Sequence, residues 1–126
     1  GIVPKTLGKG RRTSAGLFIK VSNQRLSPWS YSFHRDHQDE ISQVKLTYGE
    51  VFVALIAGND GIVGFDYDLL KEVLDDDHEE QEWVSVTRKP KEYYRVKGNN
   101  GILNKPLPRN SFPGILVDYF KQELGL

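Results

Sequence analysis

The sequence predicts an α+β fold, a mainly antiparallel sheet of about five to seven strands with two short helices. Three observations carry that expectation. The run Val51–Ala57, VFVALIA, is apolar on both faces, as a central covered strand must be. Several other stretches alternate apolar and polar residues with the period of two that marks a half-buried strand. Two segments, one after Asp66 and one after Asn110, place their apolar residues at helical spacing.

Residues 1–15, GIVPKTLGKGRRTSA, combine glycines, a proline and clustered bases. This composition predicts a flexible basic arm, followed by a single domain over residues 16–126. Gly16–Ser22 reads as a strand with Leu17, Ile19 and Val21 on one face and Phe18, Lys20 and Ser22 on the other. Asn23–Pro28 turns the chain. Trp29–His34 alternates with an aromatic face of Trp29, Tyr31 and Phe33. His34–Glu40, HRDHQDE, reads as a polar loop, and Ile41–Tyr48 as a strand leading into the central one.

After Val51–Ala57, Asn59-Asp60-Gly61 supplies turn chemistry for a hairpin, and Ile62–Phe65 returns antiparallel. Asp66 is placed to cap a helix whose stripe is Leu69, Leu70, Val73 and Leu74. An acidic stretch runs from Asp75 to Glu82. Trp83–Thr87 and Tyr93–Lys97 form a predicted hairpin across a basic turn. Alternation points Val84, Val86, Tyr94 and Val96 inward, and Trp83, Ser85, Thr87, Tyr93, Arg95 and Lys97 outward. Asn110 or Ser111 starts the last helix, with Phe112, Ile115, Leu116, Tyr119, Phe120 and Leu124 as its apolar side and Gly125 as its stop.

Composition narrows the function classes. At 126 residues the chain is one domain with room for a real core. It has no cysteine, which excludes disulfides, thiolate metal sites and a cysteine nucleophile, and makes a reducing intracellular compartment such as the cytoplasm the default. It has no methionine, not even at position 1, so a domain excised from a larger protein is expected. No apolar run approaches the roughly 18 residues a membrane helix needs, and no membrane partner is expected. The formal net charge is zero, yet the charges are segregated. The first 25 residues carry only bases, the middle is strongly acidic, and the segment from Arg88 onward is basic again.

Two constellations could carry chemistry. His34, Asp36 and His37 have residue types and spacing suited to a metal, which would make the chain a small metal-dependent hydrolase or nuclease. No HExxH or second ligand cluster accompanies them, so the polar-loop reading prevails, and no metal and no catalytic residue is assigned. NDG lacks the ligand spacing of a calcium loop, and Gly58, Gly61 and Gly64 lack the lysine of a phosphate cradle, so no cofactor is expected.

The second constellation is basic and aromatic. Arg11 and Arg12 lie in the arm; Trp83, Arg88, Lys89, Lys91, Tyr93, Arg95 and Lys97 lie on the hairpin and its turn. Bases neutralise phosphates and aromatics stack on unpaired bases. The leading expectation is therefore a non-catalytic domain that binds nucleic acid, DNA or RNA, and contacts other domains of its parent protein. The remaining alternative is a protein–protein interaction module.

Overall fold

The structure, a computed structural model, describes residues 2–6, 12–75, 77 and 81–125; for residues 2–6, 12 and 13 only the backbone is described. Its elements are β1 (Ile2–Thr6), β2 (Arg12–Ser22), β3 (Trp29–His34), α1 (Arg35–Tyr48), β4 (Val51–Ala57), β5 (Gly61–Asp66), α2 (Tyr67–Val73), β6 (Gln81–Thr87), β7 (Arg95–Gly98), β8 (Gly101–Ile102) and α3 (Ser111–Leu124). They form two sheets, ordered β1-β2-β4-β5 and β3-β6-β7-β8. Every pairing is antiparallel except β2 with β4. The class is α+β and mainly antiparallel, as the periodicities predict. Among the described residues no helix is long and apolar enough to cross a membrane.

Why β4 is central follows from its composition. Val51, Val53, Leu55 and Ala57 face the second sheet, where Trp29, Tyr31, Phe33, Val84, Val86, Tyr94 and Val96 meet them in one buried cluster. Its other face, with Phe52 and Ala54, lies on the side of α3, and Phe52 meets Tyr119 edge-on at 5.2 Å. Gly64 lets α3 approach: a Cβ there would lie 2.7 Å from that of Phe112, and its N–H donates to Ser111 Oγ at 2.9 Å. Asp66 caps α2 as its type predicts, accepting from Leu69 N at 2.9 Å.

Three local expectations are corrected. His34–Glu40 is no loop and Ile41–Tyr48 no strand: Arg35–Tyr48 is one helix with His34 at its N-cap. Gln38 and Ile41, three apart, form its buried face with Val44 beside them, while Leu46 stands in solvent. The spacing of 41 and 44 is helical, and reading Val44, Leu46 and Tyr48 as an alternation mistook a helix for a strand. The stretch expected as an arm is paired backbone over Ile2–Thr6 and Arg12–Gly16, an antiparallel hairpin in which Lys5 faces Thr13. Glycine and charge content concealed the β-bonding capacity of that backbone. The left-handed residue of the β4–β5 turn is Gly58, at φ 52°, and not a residue of Asn59-Asp60-Gly61.

Candidate functional site

The second sheet buries one face and exposes the other apart from Ser85 at its centre. On β3 the residues alternate strictly, Trp29, Tyr31 and Phe33 in, Ser30, Ser32 and His34 out. On β6 and β7, Val84, Val86 and Val96 turn inward, with Tyr94 just before β7. The register places Ser32 opposite Trp83, Ser30 opposite Ser85, Ser85 opposite Lys97 and Thr87 opposite Arg95. The outward positions of β3, β6 and β7 therefore hold serines, Thr87, His34, Gln81, Trp83, Arg95 and Lys97, and no carboxylate. Trp83 is 40% exposed and Tyr93 56%, both high for aromatics this large. The Trp83 backbone N–H donates to Asn99 Oδ1 at 2.6 Å.

Arg88–Glu92 crosses from β6 toward β7 and carries Lys89 and Lys91 into solvent. Lys91 sits at φ 67°, a left-handed conformation that a side chain resists, and Glu92 N–H closes the turn onto Lys89 C=O at 3.0 Å. Two open clefts flank this loop. One, of about 490 Å³, includes Thr87, Lys89 and Arg95 in its walls; the other, of about 500 Å³, includes Lys91, Tyr93 and Arg109. Both fall within the size range of small-ligand pockets. Glu92 is the carboxylate they share.

Arg88 differs from the other bases. Its Nε donates to Asp60 Oδ2 at 2.7 Å and its Nη2 to Asp60 Oδ1 at 2.6 Å, a fork that matches the carboxylate. Tyr94 Oη donates to the same carboxylate at 2.8 Å, and Arg109 Nη2 donates to the Asp60 carbonyl. The guanidinium also lies 5.9 Å from the Tyr94 ring centre. These donors, Arg88 first, hold the Asp60 carboxyl down at about 2, whereas burial and the hydrogen bond to Asp60 push the Tyr94 phenol up to about 12. Arg88 thus ties the hairpin to the β4–β5 turn. Asp60, read in the sequence as a turn residue, is the centre of this network. Its long-range partners leave no trace in local spacing.

The remaining predicted residues distribute as follows. Arg12 begins β2 on a different sheet, with its side chain outside the described residues, and Arg11 lies outside them altogether. Trp83, Lys89, Lys91, Tyr93, Arg95 and Lys97 come together on the open face and its loop. Glu82, grouped in the sequence with the acidic loop, is instead buried on the inner face opposite Phe33, where Asn100 Nδ2 donates to its Oε1 at 3.3 Å.

His34 and His37 approach with ring centres 5.2 Å apart, one turn of α1 apart in sequence. His37 Nδ1 accepts from the Lys20 ammonium at 2.8 Å, a cationic neighbour that opposes metal binding at that nitrogen. Burial first, then Lys20 and His34, lower the basicity of His37. Lys20 lies over the Phe18 and Phe33 rings at 5.7 and 5.2 Å. Asp36 is exposed in the first turn of α1. Among the described residues no group of three histidines or carboxylates is arranged to hold a metal ion. Comparison of the chain with known protein families, with curated proteins and with solved structures found no match.

Proposed function

We propose that the open face of the second sheet binds single-stranded nucleic acid without catalysing a reaction on it. The observation that carries this reading is the arrangement of exposed Trp83, Arg95 and Lys97 on strand positions free of carboxylates, with exposed Lys89, Lys91 and Tyr93 in the loop that joins those strands. Aromatic faces accept unpaired bases of any identity, and flanking cations track the backbone. From Trp83 to Thr87 the strand rises about 13 Å, so a short track of a few nucleotides spans the indole, Lys97 and Arg95. The acids of α1, Asp36, Asp39 and Glu40, begin beyond His34, where β3 leaves the sheet. They bias a bound strand toward the Arg88–Glu92 loop. Serine and threonine neighbours offer hydrogen bonds to phosphate but little means of reading base identity, so low sequence preference is expected.

The test is anisotropy of labelled oligothymidylate, oligouridylate and a duplex at low salt. Binding of the single strands, weakened by Trp83→Ala or Tyr93→Ala by about 1–3 kcal/mol, supports the reading. Absence of any shift for the wild-type chain would falsify it and leave the sheet face as a protein-docking surface.

A further inference from the structure

We propose that the cleft of about 490 Å³ at the loop end of the open face receives the phosphorylated terminus of the bound strand. This rests on the reading of that face as a single-strand track and names what lies at the end of it. The register places the cleft. His34 lies opposite Gln81 at one end of the sheet, where β3 leads into α1 and its acids. At the other end Thr87 lies opposite Arg95, and the chain passes into the Arg88–Glu92 loop. Ser27 reaches this same end, where its Oγ accepts from Arg88 N at 3.2 Å. Thr87 and Arg95 line the cleft together with Ser27, Arg88, Lys89 and Glu92.

Each of these six side chains is charged or carries a hydroxyl, whereas pockets for neutral small molecules are lined mostly by apolar groups. Arg88 gives the cleft its shape. Its guanidinium is occupied by Asp60, and its Nη1 also donates to the carbonyls of Lys89 and Glu92, at 3.4 Å each. The chain beyond the loop is fixed as well: Tyr94 and Leu107 exchange both backbone hydrogen bonds, at 2.7 and 2.8 Å. A cleft held in this way needs little ordering when it binds.

The binding groups are then Lys89 and Arg95 as cations and Ser27 and Thr87 as hydroxyls. Ser27 Oγ already accepts a bond, so its O–H remains a donor. The charge of Arg88 is met by Asp60, and Glu92 offsets one of the other two cations, so the lining keeps a net positive charge. An internal phosphate of a strand carries a single charge. A terminal phosphomonoester carries about −1.5 to −2 near neutral pH and three strong acceptor oxygens. Two cations and two hydroxyls gathered in one cleft match the terminal group better than an internal one.

Anisotropy at constant salt tests this with oligothymidylates labelled on an internal base and ending in hydroxyls, a 5′-phosphate or a 3′-phosphate. A phosphate at one of the two ends should tighten binding about tenfold, on the order of one charge-assisted hydrogen bond. A hydroxyl-ended strand two nucleotides longer matches the added charge and should gain about twofold or less. Ser27→Ala should cut the gain about threefold or more and leave the hydroxyl-ended strand bound as before. Glu92→Gln should enlarge the gain, because the doubly charged end feels that carboxylate most. Lys91→Ala, in the wall of the other cleft, should weaken both strands by one factor and preserve the gain. If Ser27→Ala alters the circular dichroism spectrum, Glu92→Gln decides. Hydroxyl-ended strands that fail to bind would sink the reading of the face and this inference with it. Hydroxyl-ended strands that bind while phosphorylated ones gain nothing, gain equally from either end, or keep an unchanged gain in Ser27→Ala or Glu92→Gln would overturn the cleft assignment alone.

Discussion

Salt dependence is the sharpest probe of the proposed nucleic-acid face. The perturbation is the double change Arg95→Ala and Lys97→Ala. Both side chains stand outward on β7 and are exposed, so their removal leaves the inner face, Tyr94 and Val96, intact. Four exposed bases belong to the face and its loop: Lys89, Lys91, Arg95 and Lys97. Arg88 is left out because Asp60 occupies its guanidinium. If each exposed base meets one phosphate of a single strand, log affinity should fall against log salt with a slope of about 2.8. Affinity then drops about 50-fold between 50 and 200 mM salt. The double variant should show a slope near 1.4 and lose only about sevenfold over the same interval. Trp83→Ala separates stacking from charge, since it should lower affinity by a similar factor at every salt concentration. Titrations by anisotropy at four or five salt concentrations measure all three slopes. An undiminished slope in the double variant would show that Arg95 and Lys97 touch no phosphate, and the assignment of this face would fail.

Three further outcomes follow from the packing. Asp60 has a folded-state value of about 2, below the ordinary 3.8, so its contribution is complete above about pH 4 and is lost as pH falls toward 2. Denaturant midpoints of the wild type should drop across that window more steeply than those of Asp60→Asn, and equal slopes would remove Asp60 from the acid response. Leu70→Ala, at a fully enclosed position of α2, should cost about 2–5 kcal/mol in a chemical melt; a loss under about half a kilocalorie would mean that the helix does not seal the core. Gly64→Ala forces a methyl against Phe112 and the Ser111 carbonyl and should cost about 1–3 kcal/mol. It should leave oligonucleotide affinity unchanged, because α3 lies on the first sheet, away from the open face of the second.

By itself the sequence determined the class of the fold and most of its faces. Period-two alternation assigned Trp29, Tyr31, Phe33, Val84, Val86 and Val96 to the buried side, since a strand that buries one face has no freedom to shift by one. It also marked Val51–Ala57 as the central strand, Asp66 as a cap and Gly125 as a stop, because each is a local requirement met by a local residue type. Trp83, Tyr93, Arg95 and Lys97 were legible as outward for the same reason.

Only the tertiary structure decided what depends on distant partners. The helix at Arg35–Tyr48 has few apolar residues, and its stability comes from packing Ile41 and Val44 on the sheet, where Gly16 leaves room for Val44. The parallel pairing of β2 with β4 needs the intervening β3 and α1 as a crossover, which no short pattern encodes. Arg88 and Asp60 are 28 positions apart, and each alone reads as a surface charge; folding brings the hairpin onto the β4–β5 turn and converts them into one bidentate pair. Glu82 sat in an acidic run, yet its parity on β6 sends it inward. Local patterns fix which side of a strand or helix a residue occupies. What lies on that side is set by contacts between segments remote in sequence.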